Sequence, residues 1–163
     1  MSLNGFSRLL GQLLFSPGTF YEALDIDEGF ARPMIFLFVM SCCFSMLSCL
    51  YIARERLLLG TILFLNRFLT PFLTSMMLYL ITLVRRGNRF SYRGLFTINA
   101  YADVTALFAW IPGMGIVSGL WGYYLIGLGI VKKGGVRWPE ALVYVVACCL
   151  AIILLIRVFQ TLI

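Results

Sequence analysis

Two ionisable side chains lie inside long apolar stretches of this 163-residue chain, and they are the residues best placed to do chemistry. Arg67 falls within the apolar run 57–84, and Asp103 falls within the run 95–111. A charged group inside an apolar span is costly and is by default a functional candidate. If both runs are helical, Arg67 lies about 15 Å from the outer end of its helix, and Asp103 lies about 12 Å from the outer end of the next helix. They could then form an ion pair, which in turn could serve as an ion or proton relay.

A second interpretation of these two residues needs no pair. Arg67 would mark the outer interface of a shorter second span, and Asp103 would bond to Asn99, Tyr101 or a backbone group. The sequence leaves both interpretations open. A single intramembrane aspartate does not supply the two carboxylates of an aspartyl protease, which share a proton.

Other catalytic and metal-binding groups are scarce. The chain has no histidine, which excludes Ser–His and Cys–His nucleophile pairs and nearly all zinc or copper sites that use imidazole. All the cysteines fall inside apolar runs, where they are typical packing residues: Cys42, Cys43, Cys49, Cys148 and Cys149. The two vicinal pairs could hold Cu(I) only as thiolates, which an apolar environment disfavours. We therefore expect a protein that is not an enzyme and binds no cofactor or metal.

The elements that carry these residues are membrane spans. Hydrophobic residues make up 61% of the chain and charged residues 12%, whereas about a quarter of a soluble domain is charged. Five apolar runs follow one another, at residues 34–53, 57–84, 95–111, 114–131 and 141–156. The second run would be about 42 Å long as a helix, longer than the hydrocarbon core, and Pro71 predicts a kink or break in it. Pro112 and Gly113 predict a tight turn between the third and fourth spans.

The segment before the first span has one apolar face. Residues 3–15 place Leu and Phe at helical spacing, with Arg8 and Gln12 on the other side. Such a helix could lie in the headgroup plane or pack under the bundle. We predict an all-α fold, in which residues 1–32 form a cytoplasmic or interfacial segment with a short amphipathic helix and residues 33–163 form a bundle of five transmembrane helices.

Small residues recur at helical spacing in two of the spans. Residues of this kind let helices approach closely in lipid, and we expect them to pack helices within one molecule rather than between two, although a homo-oligomer stays possible. They are Ser41, Ser45 and Ser48 in the first span, and Gly115, Gly119 and Gly122 in the fourth.

Basic residues fall almost entirely in alternate loops. With the N-terminus in the cytoplasm, nine lie on that side, and only Arg54 and Arg56 lie clearly on the other. This asymmetry predicts a cytoplasmic N-terminus and an outer C-terminus. Two of the loops could also form a docking surface for an acidic partner or anionic lipid headgroups, rather than for nucleic acid. We call its residues the basic surface: Arg85, Arg86, Arg89, Arg93, Lys132, Lys133 and Arg137.

Several segments, in order, resemble the Ypt-interacting protein (Yip) domain family of five-span membrane proteins. They are Phe15-Ser16-Pro17 and Phe20-Tyr21-Glu22, residues 87–92, Asn99 to Ala102, Ile111-Pro112-Gly113, Gly119 to Gly129, and Pro139-Glu140-Ala141. The resemblance implies five spans and a cytoplasmic N-terminus. Eukaryotic members bind prenylated small GTPases and act in vesicle traffic, usually through a long N-terminal region. Here only a short segment precedes the first span, which indicates a prokaryotic member in the cell membrane.

The predicted function is therefore that of an interaction or accessory subunit in a membrane assembly, with lipids and another membrane protein as partners. The alternative is a small transporter, channel or lipid-handling component that uses Arg67 and Asp103. A continuous polar lining across the spans would favour transport. Isolated buried polar residues and a grooved surface would favour the accessory role.

The charge asymmetry gives a test of topology. In a variant without native cysteines, a cysteine placed at Ser2 should react only with reagent on the cytoplasmic side, and one placed at Thr161 only with reagent outside. The measurement is labelling of intact cells or oriented vesicles with an impermeant maleimide. Labelling of both positions from one side would rule out an odd number of spans.

Overall fold

The chain folds into helices of very different length. The structure is a computed structural model that describes residues 3–25, 29–51, 56–86 and 90–162. The long helices are α3 (Ala31–Ser48, continued by a 3₁₀ turn at Cys49–Tyr51), α4 (Arg56–Arg86), α7 (Gly115–Gly134) and α8 (Trp138–Leu162). Within the described ranges, these are the four helices long and apolar enough to cross a membrane. The all-helical, membrane-spanning character predicted from hydropathy is confirmed.

The third predicted span is helical but interrupted. It consists of α5 (Tyr92–Ala102), a 3₁₀ turn (Asp103–Thr105) and α6 (Ala106–Ala109). Ser91 begins α5 as its N-cap, with Oγ accepting a hydrogen bond of 3.0 Å from the backbone N–H of Gly94. Every residue from Gly94 to Ala106 is buried, because α3, α4 and α7 pack around this path. The central element of the bundle is therefore covered by protein on most of its surface, whereas the long helices present apolar side chains outward.

Pro71 does not break α4, which is assigned as one helix from Arg56 to Arg86. Of the kink or break expected near residues 66–71, the break is therefore absent. Thr70 and Ser75, before and after the proline, donate to backbone carbonyls one turn earlier, those of Asn66 (2.7 Å) and Pro71 (2.5 Å).

The N-terminal segment packs against the bundle. It forms α1 (Leu3–Phe15) and α2 (Pro17–Ala23), and Leu13 and Tyr21 are fully buried. The Tyr21 hydroxyl donates to the carbonyl of Ile98 at 3.4 Å, and burial raises the pKa of Tyr21 far above its ordinary value. The apolar face of α1 thus contributes to the core, while Arg8 and Gln12 are exposed.

An ion pair fixes the end of α2 to the end of α7. Lys132 Nζ lies 2.5 Å from Glu22 Oε1, and Lys133 Nζ donates to the backbone carbonyl of Glu22 at 3.0 Å. The bond from Lys132 lowers the pKa of Glu22. Because this pKa is lowered on folding, the stability that the contact contributes is present above the ordinary pKa of a glutamate and is lost as pH falls through the lowered value.

One glycine is required where α7 meets α5 and α2. A Cβ added at Gly129 would lie 2.5 Å from Ile98 Cγ2 and 3.2 Å from Tyr21 Cε1, both fully buried side chains. By contrast, a Cβ added at Gly119, ten residues earlier on α7, would have nothing within 4 Å.

These two glycines give a paired prediction. Gly129→Ala should destabilise the protein by about 1–3 kcal/mol, because it overpacks the core. Gly119→Ala, the control on the same helix, should stabilise it by about 0.5–1 kcal/mol, because alanine favours a helix more than glycine does. Thermal unfolding of both variants in mild detergent measures the difference. Equal melting temperatures would contradict the packing described here.

Candidate functional site: a polar cleft beside the Arg67–Asp103 ion pair

The interruption of α5 places a carboxylate inside the bundle. The backbone N–H of Asp103 still bonds back to the carbonyls of Asn99 and Tyr101, so the chain tightens into a 3₁₀ turn rather than unwinding. The Asp103 side chain is 7% exposed. A 3₁₀ stretch inside a helix often marks strain or a functional hinge, and here it carries the buried acid of the bundle.

Arg67 on α4 is the partner of this carboxylate. Its Nε lies 2.7 Å from Asp103 Oδ1, and its side chain is 26% exposed. Its Cζ also lies 5.5 Å from the centre of the Phe44 ring on α3, so a cation–π contact supports the guanidinium from a third helix. The structure thus brings together the two residues that the sequence singled out. Asn99, one of the neighbours considered for Asp103 beside Tyr101 and the backbone, donates to Ser75 Oγ (3.0 Å) and to the carbonyl of Leu95 (2.9 Å).

The pair is close but incompletely bonded. Asp103 Oδ2 is buried and has no hydrogen-bond partner in the described chain, and Arg67 Nε approaches Oδ1 without the alignment of a hydrogen bond. Within those same residues, the terminal nitrogens of Arg67 donate no hydrogen bond. Removing one member of a buried pair costs about 3–5 kcal/mol, because it leaves an uncompensated charge.

A cleft of about 220 Å³ lies beside the pair, between α4 and α7. Its lining includes Arg67 and Thr74 from α4, the path from Asn99 to Ala109 through Asp103, and Ile152 from α8. On α7 it is lined from Gly115 to Ile126, so it begins near the α6–α7 turn. The sequence did not predict this cleft, since it depends on how far apart α4 and α7 lie.

Hydroxyl groups give the cleft a particular polarity. Thr70, Thr74 and Ser118 each donate to the backbone carbonyl four residues earlier, at 2.6–2.8 Å. Thr105 donates to the carbonyl of Ala102 at 3.3 Å. Since their hydrogens are used within their own helices, these oxygens offer lone pairs to a ligand in the cleft. The four-residue spacing of Thr70 and Thr74 places both on one face of α4, and this pattern in the sequence could have predicted a polar face there.

The cleft is closed at its end farther from the α6–α7 turn. The space beneath it, lined by Leu78, Ile126, Val145 and Cys148 among others, has no room for a water molecule. Below it Leu95, Leu125 and Leu128 are buried, and the buried hydroxyls of Thr82 and Thr97 donate to backbone carbonyls of their own helices. The polar residues of the site therefore form a pocket with one closed end in this conformation.

The basic surface is engaged in contacts within the molecule. Lys132 and Lys133 hold Glu22, the guanidinium of Arg93 lies 5.3 Å from the Phe30 ring, and that of Arg85 lies 5.7 Å from the Tyr144 ring. In the described chain the exposed side chain of Arg137 has no such partner. Arg89 and the side chain of Arg86 lie outside the described residues.

The predicted packing residues have different surroundings. Ser41 and Ser45 are buried, and Ser45 Oγ donates to the carbonyl of Gly60 on α4 at 2.6 Å, whereas Ser48 is half-buried. A Cβ added at Gly122 would lie 3.2 Å from Thr105 Oγ1, so α7 approaches closely there. Cβ atoms at Gly115 and Gly119 would have no neighbour within 4 Å, and these two glycines line the cleft.

The cysteines are free thiols and are not gathered into a site. Cys148 is buried, with Sγ 3.7 Å from the carbonyl of Thr74, and the other four are half-buried. Among the described residues, no group of three or more His, Cys, Asp or Glu side chains is placed to hold a metal ion.

Comparison with known proteins gives one match. The family model of the Yip1 domain matches residues 11–159, which include α2, the cleft and the ion pair. No curated protein and no solved structure matches the chain.

The ion pair gives a prediction of coupled stability. Asp103→Ala and Arg67→Ala should each destabilise the protein by about 3–5 kcal/mol, whereas the double variant should recover part of the summed loss. Denaturant unfolding of the four proteins in detergent measures the coupling. Strictly additive losses would show that the two charges do not interact. Asn66→Ala, an exposed neighbour on α4, serves as the control and should change little.

Proposed function

Because the chain belongs to the Yip1 domain family, we propose that it is an interaction or accessory subunit of a membrane assembly and not an enzyme. It is an integral membrane protein of apolar helices. We propose that α5 and α6 together form one more membrane span, the third along the chain, which raises the number of spans from four to five. This proposal is supported by the helical path from Tyr92 to Ala109, which leads from the basic surface to the α6–α7 turn.

The proposed topology follows from the same path. An odd number of spans places the N-terminus with the basic surface in the cytoplasm and the C-terminus outside, as the loop charges favour. In this proposal residues 1–32 stay on or within the cytoplasmic half, residues 33–163 form the transmembrane domain, and the membrane is that of a prokaryotic cell. The contact between Glu22 and Lys132 supports a location of α2 beside the cytoplasmic end of α7.

The observation that carries the accessory role is the closed end of the cleft. A channel or transporter needs a polar route through the membrane, whereas here the space next to the cleft is filled by leucine, isoleucine and valine side chains and has no room for water. The chain has no histidine, which excludes Ser–His and Cys–His nucleophile pairs and metal sites that use imidazole. What the geometry supports best is binding at the surface and in the cleft.

The cytoplasmic end is the proposed docking site for a second membrane protein or for anionic headgroups. Arg137 supports this, because its charge is exposed and is not used within the described fold. The other described members of the basic surface have a structural task in addition. We therefore propose that Arg137 contributes most to recognition, and that Lys132, Lys133, Arg85 and Arg93 set the shape of the surface around it.

A lipid-handling role is the second candidate function. The specific observation in its favour is the cleft, which brings an arginine with free N–H groups to a site lined by hydroxyl oxygens. Lipid handling and partner binding differ in the residues that they require. The former depends on Arg67, and the latter on the cytoplasmic end of the bundle.

Two arginines at opposite ends of α8 test the docking proposal. Arg137→Gln should weaken the binding of a co-purifying protein or anionic lipid by about 1 kcal/mol, and this difference from the wild type should shrink at higher salt, because salt screens the charge of Arg137. Arg157→Gln, also exposed and near the other end of α8, is the matched control and should have no effect. Mass spectrometry of material purified in mild detergent at two salt concentrations measures retention. Equal retention by both variants would exclude a docking role for Arg137.

A further inference from the structure

The most unusual feature of the cleft is a guanidinium group that is fixed at one edge and free at the other. Arg67 Nε contacts Asp103, and the guanidinium plane lies near the Phe44 ring; these two contacts hold the guanidinium in one orientation. Its terminal nitrogens donate no hydrogen bond in the described chain, and its side chain is 26% exposed. Two terminal nitrogens with their hydrogens form a fork that matches two oxygens of a phosphate or carboxylate.

The surroundings of the cleft are apolar. Leu73 on α4 and Leu120 on α7 lie next to residues that line it, and they are 52% and 66% exposed. A ligand that fills the site must therefore present an anion to Arg67 and apolar chains to the outer faces of α4 and α7. A soluble anion satisfies only the first condition, whereas a phospholipid satisfies both.

The hydroxyl oxygens select among phospholipids. Thr70, Thr74, Thr105 and Ser118 offer lone pairs, since their hydrogens are donated to backbone carbonyls. A headgroup that carries N–H or O–H donors can bond to these oxygens, as ethanolamine and glycerol can. The trimethylammonium group of choline has no such hydrogen.

From these features we infer that the cleft binds one phospholipid, with its phosphodiester on the free edge of Arg67 and a donor-bearing headgroup against the threonine and serine hydroxyls. In the proposed topology this lipid comes from the outer leaflet, because the cleft begins at the α6–α7 turn. Asp103 acts as a positioning residue, which orients the guanidinium and keeps the empty site neutral. The inference deepens the lipid-handling candidate and is independent of docking at Arg137.

Two variants remove the site by different means. Gly119→Leu fills the cleft while the ion pair stays intact, and the open space around Gly119 predicts that it folds. Arg67→Gln combined with Asp103→Asn removes both charges together, which avoids an unpaired buried charge. The matched control for the first variant is Gly11→Leu, at a helical glycine on α1 that also has nothing within 4 Å of a built Cβ.

The experiment measures lipid adducts by native mass spectrometry. Delipidated full-length protein in detergent is mixed with phosphatidylethanolamine, phosphatidylglycerol or phosphatidylcholine, all with oleoyl chains, and melting temperatures are recorded alongside. The wild type and Gly11→Leu should bind the first two lipids about tenfold more tightly than phosphatidylcholine, as the loss of charge-assisted or multiple hydrogen bonds implies. Both site variants should lose this preference and bind each lipid at least about tenfold more weakly.

Several results would overturn the inference. Undiminished binding of phosphatidylethanolamine by folded Gly119→Leu would place the lipid elsewhere, as would undiminished binding by the double variant. Equal affinity for phosphatidylcholine would refute selection by the hydroxyl oxygens. Free phosphoethanolamine, tested at the same concentration, should give no comparable rise in melting temperature. If it does, the site takes a soluble phosphate compound and not a lipid. None of these results bears on the effect of Arg137→Gln.

Discussion

A carboxylate in the middle of an apolar bundle must have a cation beside it, and much of this structure is arranged to meet that need. Asp103 is 7% exposed and lies at a 3₁₀ turn that interrupts the helix. Arg67 reaches it from α4, and Phe44 from α3 supports Arg67. The Arg67 side chain on α4 thus contacts both the 3₁₀ turn that follows α5 and a phenylalanine on α3. A buried pair contributes little net stability when compared with apolar packing, but once present, neither partner can be removed without large cost.

The same need explains where the bundle is closely packed and where it is open. At Gly129 α7 lies against Ile98 and Tyr21, with no room for a Cβ, whereas at Gly119 it lies away from its neighbours. The open space at Gly119 belongs to the cleft. A completely packed bundle would bury the remaining edge of Arg67 without a partner, which would cost more than leaving that edge accessible.

Hydropathy and loop charges predicted much of this fold from the sequence. They gave the helical class, the positions of the long helices and the turn at Pro112 and Gly113, because each depends on local composition. They also pointed to Arg67 and Asp103, since charged residues inside apolar runs are rare. The continuity of α4 through Pro71 was not predicted, because it depends on packing against α3, α5 and α8, which hydropathy does not register.

The cleft could not be predicted from the sequence for a different reason. Its walls come from α4, from the path around Asp103, and from α7 and α8, and its size depends on distances between helices far apart in the chain. The basic surface shows the same limit, because Lys132 and Arg93 look alike in sequence as loop charges. Yet one bonds to Glu22 and the other stacks on Phe30, while Arg137 has no such partner among the described residues. Contacts within the described fold thus separate the basic residues that build the surface from the one that is left to bind a partner.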